Sequence, residues 1–131
     1  MNRYLLKLAY NGSRYHGWQI QDNAHSVQAE ISDKLSVLLK GDISLVGCGR
    51  TDTGVHAKQF YAHLDFADLE WNFMDLIYKL NSFLPSDIVI YDLISVDDSF
   101  NSRFSALSRT YKYYISTVKD PFSEKVSYFF N

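Results

Sequence analysis

The chain lacks most of the features that would assign it to a specialised class. It carries one cysteine, Cys48, in 131 residues. A lone thiol closes no internal disulfide, so a disulfide scaffold is excluded and a reducing, cytoplasmic compartment is expected. No apolar run approaches the length of a membrane span, so no membrane association is expected. Lys7 interrupts the early apolar stretch and no small-residue cleavage site follows, so no secretion signal is read. There is no repeat, no low-complexity tract and no Pro/Gly/Ser linker, which leaves residues 1–131 as a single domain by size. Excess positive charge is missing too. Thirteen Lys and Arg stand against fifteen Asp and Glu, a net charge of −2. That is unlike a generic nucleic-acid binder, whose domains are usually basic. The four histidines (His16, His25, His56 and His63) lack metal-ligand spacing with Cys48, so no zinc site is expected.

Aromatic residues, by contrast, are abundant. Ten Tyr, nine Phe and two Trp make 16% of the chain. Most should be core, and a surplus of Tyr supplies flat faces for stacking on bases. Between Asn101 and Lys119 the basic residues Arg103, Arg109, Lys112 and Lys119 interleave with Phe104, Tyr111, Tyr113 and Tyr114, with no acid among them. This pattern suits either a single-stranded RNA surface or a solvated strand face.

Hydrophobic periodicity divides the chain into elements. Residues 3–10 read as a strand ended by Asn11-Gly12, and 13–25 as a polar loop. Val27, Ile31, Leu35 and Leu38 fall on one face of a helix over 26–40, with Gly41 as its stop. Residues 43–48 are short and β-branched, and 58–66 alternate cleanly, which makes both strands. Asn72 caps a second helix with Asp75 in its first turn, Leu76, Ile77, Leu80 and Leu84 as its buried stripe, and Pro85 as its end. Strands follow at 88–96 and 109–118. The order β-α-β-β-α-β-β predicts an α+β fold, a ferredoxin-like antiparallel sheet with both helices on one face. After Pro121 the run Tyr128-Phe129-Phe130-Asn131 looks for a partner surface or closes a sheet edge.

The segment Gly47-Cys48-Gly49-Arg50-Thr51-Asp52-Thr53-Gly54 draws attention by its glycines. Gly49 and Gly54 have the spacing of a phosphate-binding loop. Val55-His56 stands where Lys-Ser/Thr is required, and Asp52 would repel a phosphate. A dinucleotide fingerprint fails because the third glycine is two residues late. Cys48, Asp52 and His56 are four apart, yet three glycines make a helix there improbable, so no cysteine-protease triad is read. What remains is an aspartate in a Gly-flexed loop, two residues from an arginine. Such a carboxylate is either a turn residue bonding its own backbone or an oriented nucleophile.

The segment Gly49-Arg50-Thr51-Asp52-Thr53-Gly54-Val55-His56-Ala57 resembles the catalytic motif of the TruA family of tRNA pseudouridine synthases. Tyr10-Asn11-Gly12-Ser13-Arg14-Tyr15-His16-Gly17-Trp18-Gln19 is similar to the family's N-terminal signature. Ser26-Val27-Gln28, Leu80 to Ile88, Arg103-Phe104-Ser105-Ala106 and Arg109-Thr110-Tyr111-Lys112-Tyr113 match later motifs, in the family's order. The resemblance implies isomerisation of uridine to pseudouridine on the 3′ side of the tRNA anticodon stem-loop, with no cofactor, by a cytoplasmic homodimer. It implies that Asp52 is the nucleophile, that Arg50 pairs with it and helps extrude the base, and that Tyr111 stacks on the uracil and can move a proton late in the reaction. Arg14, Trp18, Gln19, His56, Lys58, Arg103 and Arg109 are implied as RNA contacts or loop supports. Thr53 departs from the usual Ala, with a hydroxyl able to rebond the loop, and Asn101-Ser102 from the usual His-Ala. Family members resemble two such halves in one chain, so residues 1–131 match the N-terminal half. A non-catalytic RNA-binding or dimerisation module is the alternative expectation.

Overall fold

A computed structural model describes residues 1–123 and 125–130. Glu124 and Asn131, both after Pro121, lie outside the described residues. The central sheet has four strands: β1 (Asn2–Tyr10), β2 (Val46–Gly47), β3 (Ala57–Phe66) and β4 (Ile88–Val96). They lie in the order β2-β3-β1-β4, and every pair is antiparallel. Helix α1 (Val27–Leu39) precedes β2, and helix α2 (Phe73–Phe83) joins β3 to β4. This is the expected ferredoxin-like α+β arrangement.

The local signals that placed the helices have physical counterparts. Ser26 caps α1, its side chain accepting from the Ala29 amide at 3.1 Å. Asn72 caps α2 by accepting from the Met74 and Asp75 amides. The α1 stop falls one residue before the expected Gly41, at Lys40, which takes the left-handed conformation itself. Ile31 and Leu35 of α1 and Leu76 and Leu80 of α2 share one core with Tyr4, Leu6, Leu8, Ala62 and Leu64 of the sheet. Both helices therefore cover the same sheet face. Leu5 and His63 pair across β1 and β3, are nearly inaccessible, and point to the other face by strand alternation.

Two expected strands are corrected. The strand read over 43–48 pairs only at Val46–Gly47, because Ile43 and Leu45 are drawn into the core under the helices. The strand read over 109–118 is confined to β5 (Ile115–Ser116), which pairs in parallel with β6 (Tyr128–Phe129) in a separate small sheet. Tyr111, Tyr113, Tyr114 and Ile115 are all exposed, so their alternation buries neither face. Without a ladder partner on the main sheet, alternation alone does not make a strand.

Candidate active site

The loop between β2 and β3 is held at several points by the segment that follows β1. The Tyr10 hydroxyl and Thr51 Oγ1 are hydrogen-bonded at 2.8 Å. Burial pushes the Tyr10 phenol up to about 12, opposed by its bond to Thr51. The Trp18 amide donates to the Thr51 carbonyl, and the Gly54 amide to the Tyr15 carbonyl at 3.2 Å. The Gly12 amide donates to His56 Nδ1 at 2.9 Å. That bond fixes the His56 proton on Nε2, which donates to the Lys125 carbonyl. His56 is thus a strut between the first turn and the C-terminal segment.

Within this frame Asp52 is exposed. Its backbone carbonyl closes a turn by accepting from the Val55 amide at 3.1 Å. Among the described residues its carboxylate accepts no hydrogen bond and forms no ion pair. Asp52 therefore sits in a turn, and among the described residues its side chain does not bond that turn's backbone. Among the described residues Arg50 and Asp52 form no ion pair: both are exposed, and the ion pairs seen lie elsewhere. The Thr53 hydroxyl bonds no protein group among the described residues, so it does not rebond the loop.

Beside the loop lies an open cleft of about 530 Å³. Gln19, Arg50, Arg103, Arg109 and Tyr111 all line it, with the glycine backbone at 47 and 49. Among the described residues three arginines and no acidic residue line it, so the cleft favours an anion although the chain is net negative. Arg109 is tethered: its Nε donates to the Cys48 carbonyl at 2.8 Å, and one terminal nitrogen bridges the Cys48 and Arg103 carbonyls. This fastens the 103–111 segment to the start of the Asp52 loop. The Arg103 guanidinium lies over the Phe104 ring. Asp52 itself does not line the cleft; it follows Arg50 by two residues.

The other residues singled out in the sequence have structural occupations. Trp18 is fully buried, 4.5 Å from Phe60 and stacked on Tyr10, so it supports the loop from the core and contacts no solute. Arg14 is ion-paired to Asp87 at 2.7 Å, which raises its pKa. The same carboxylate accepts from the buried Tyr15 hydroxyl at 2.7 Å. Burial and Asp87 together push the Tyr15 phenol well above its ordinary range. Lys58 lies over the exposed Tyr114 ring, at 5.3 Å. Tyr10, Tyr15 and Asp87 hold the loop and the turn beside it, and sequence reasoning did not assign them roles. Tyr10 and Tyr15 both lie in the signature around Asn11-Gly12 and were open to that inference.

No family model matches the chain. Curated relatives do. A tRNA pseudouridine synthase A of Parabacteroides distasonis is 44% identical over 128 residues, 98% of this chain and 51% of that protein. Its counterpart from Azobacteroides pseudotrichonymphae is 48% identical over 122 residues, 93% of this chain and 49% of the relative. The chain belongs to the tRNA pseudouridine synthase A family. A more distant synthase of the same name, from Aquifex aeolicus, is 40% identical over 93% of the chain. The chain spans about half the length of the curated relatives it matches. Among the described residues of this family member, no helix is long and apolar enough to cross a membrane.

Proposed function

We propose that the chain takes part in isomerising uridine to pseudouridine in the anticodon stem-loop of tRNA, with Asp52 as the nucleophile. The observation that carries this reading is the contrast between a tightly anchored loop backbone and an unengaged Asp52 carboxylate. A carboxylate with no structural bond to hold, on a loop fixed at Thr51 and Gly54, is free to attack. The arginine-lined cleft beside it suits a phosphate backbone.

The reaction breaks the C–N glycosidic bond, turns the base and joins C5 of uracil to the same sugar. The hydrogen at C5 leaves to solvent and nothing is oxidised, so no cofactor is required. The target base must first leave the stack, which costs a few kcal/mol. Arg50 and the exposed Tyr111 ring, both at the cleft, offset part of this by phosphate contact and stacking. Asp52 then attacks at C1′ of the ribose or at C6 of uracil, or assists elimination through a glycal. A homodimer acting in the cytoplasm belongs to the same proposal, as does RNA contact by Gln19, Lys58, Arg103 and Arg109.

A second reading has two specific observations behind it. The chain spans half of its relatives, and the cleft is open. A non-catalytic RNA-binding or dimerisation module fits that. Tritium release from a tRNA anticodon arm labelled at uridine C5 separates the two. The catalytic reading expects release that depends on Asp52; the module reading expects RNA binding with no release.

A further inference from the structure

The four-stranded sheet has one face covered by helices and one face open, and the open face is crossed by a strap. After β4 the chain turns at Asp97, whose carbonyl accepts from the Phe100 amide at 2.9 Å. It then meets the other strands in spatial order. The Phe100 carbonyl accepts from Arg3 on β1. Ser102 meets His63 on β3 and the Val46 carbonyl on β2. Arg109 reaches Cys48, just past β2. The strap is stiff at its centre: Asn101 Oδ1 accepts from the Arg103 and Phe104 amides, and Ser105 Oγ accepts from the Asn101 amide.

At the crossing point His63 and Ser102 are both buried, each 3% exposed. The Ser102 amide donates to His63 Nδ1 at 3.1 Å, so that nitrogen carries no proton. The Ser102 hydroxyl donates to the Val46 carbonyl at 2.6 Å and lies 2.9 Å from the same ring nitrogen. An imidazolium would aim an N–H at the Ser102 N–H, and the pin would open. Arg103 follows immediately and lines the cleft with Arg109.

We propose that His63 is a positioning residue, whose unprotonated Nδ1 pins the strap at Ser102 and so holds Arg103 and Arg109 at the cleft wall. That these arginines bind tRNA rests on the function proposed above; the pin itself does not. The charged groups around His63 are few. Arg3 on β1 disfavours its protonation and Asp65 on its own strand favours it, while the two are ion-paired to each other at 2.8 Å. On the strap, Asp98 faces Arg3. β2 contributes no titratable side chain.

The test has two arms on the same protein. Nitrogen-15 NMR follows the His63 ring, the Ser102 amide and the Arg109 Nε–H as pH falls. The expected result is a neutral ring protonated on Nε2, with all three signals shifting together when it titrates. Titration of His63 that leaves Ser102 and Arg109 undisturbed overturns the pin. The second arm measures tRNA binding and its pH profile in wild type, His63→Ala and His63→Asn. Losing the pin should weaken binding roughly five- to tenfold, the worth of about one hydrogen bond. His63→Ala should be weak at all pH values. His63→Asn keeps an acceptor that does not titrate, so it should bind like wild type and lose the acid limb. Wild-type binding and an unchanged profile in folded His63→Ala overturn the proposal. If wild type itself ignores tRNA, the functional reading falls, and the NMR arm still decides whether His63 positions the arginines.

Discussion

Two glycines near Asp52 separate backbone strain from steric collision. Gly17 and Gly54 both have positive φ, at 76° and 80°. A Cβ on Gly54 would meet nothing within 4 Å, whereas a Cβ on Gly17 would lie 2.2 Å from the Thr51 carbonyl oxygen. Forcing an L-residue into the left-handed region costs about 1–2 kcal/mol. Part of that is offset by the stiffer unfolded chain, by about 0.4–1 kcal/mol, so Gly54→Ala should lose about 1 kcal/mol. Gly17→Ala suffers the same loss plus the displacement of Thr51, which as overpacking adds about 1–3 kcal/mol. With a urea dependence of about 2 kcal/mol/M, the midpoint should fall by roughly 0.5 M for Gly54→Ala and by roughly 1–2 M for Gly17→Ala. Fluorescence of the buried Trp18 reports the transition. The Thr51 carbonyl belongs to the loop that carries Asp52, so Gly17→Ala should also depress isomerisation beyond its loss of stability. Equal midpoints for the two variants would refute the close approach of Gly17 to Thr51.

Asp87→Ala leaves the buried Tyr15 hydroxyl unpaired and should destabilise by about 1–3 kcal/mol in denaturant unfolding. Asp87→Asn keeps an acceptor for Tyr15 and should lose less. Tyr111→Phe keeps the ring at the cleft and should preserve RNA affinity; normal turnover in that variant would rule out a proton role for the hydroxyl. Acid stability should follow His63, whose folded pKa lies below its ordinary 6.5, chiefly through burial. Below pH 6.5 the unfolded chain therefore binds more protons than the folded one, so stability is full above 6.5 and lost as pH falls through the folded pKa. His63→Asn should flatten that part of the stability profile measured by urea titration.

Local features were readable where local physics decides. The Asn72 cap, the helical stripes and the alternation of 58–66 each need only near neighbours in the chain. The 109–118 strand failed for the opposite reason. Its alternation of Tyr111, Tyr113 and Ile115 required a ladder partner, and periodicity carries no information about partners. The site divides the same way. Gln19, Arg50, Arg103, Arg109 and Tyr111, which come from separate motifs, line one cleft. Arg14 and Trp18 were placed by contacts that no pattern reveals. Arg14 is held by Asp87, 73 residues away, and Trp18 lies against Phe60 beneath the loop. His63 and Ser102 meet across 39 residues, and only the strap's path over the open face brings them together.

The central claim is that Asp52 is the attacking group. The most direct measurement is tritium release from tRNA labelled at uridine C5, by the intact protein and by Asp52→Asn, with tRNA binding followed in parallel. Among the described residues the Asp52 carboxylate bonds no protein donor, so its replacement should leave the fold and tRNA binding intact. Loss of a nucleophile should lower release roughly ten-thousandfold or more. Release by Asp52→Asn at anything near the wild-type rate would contradict the account.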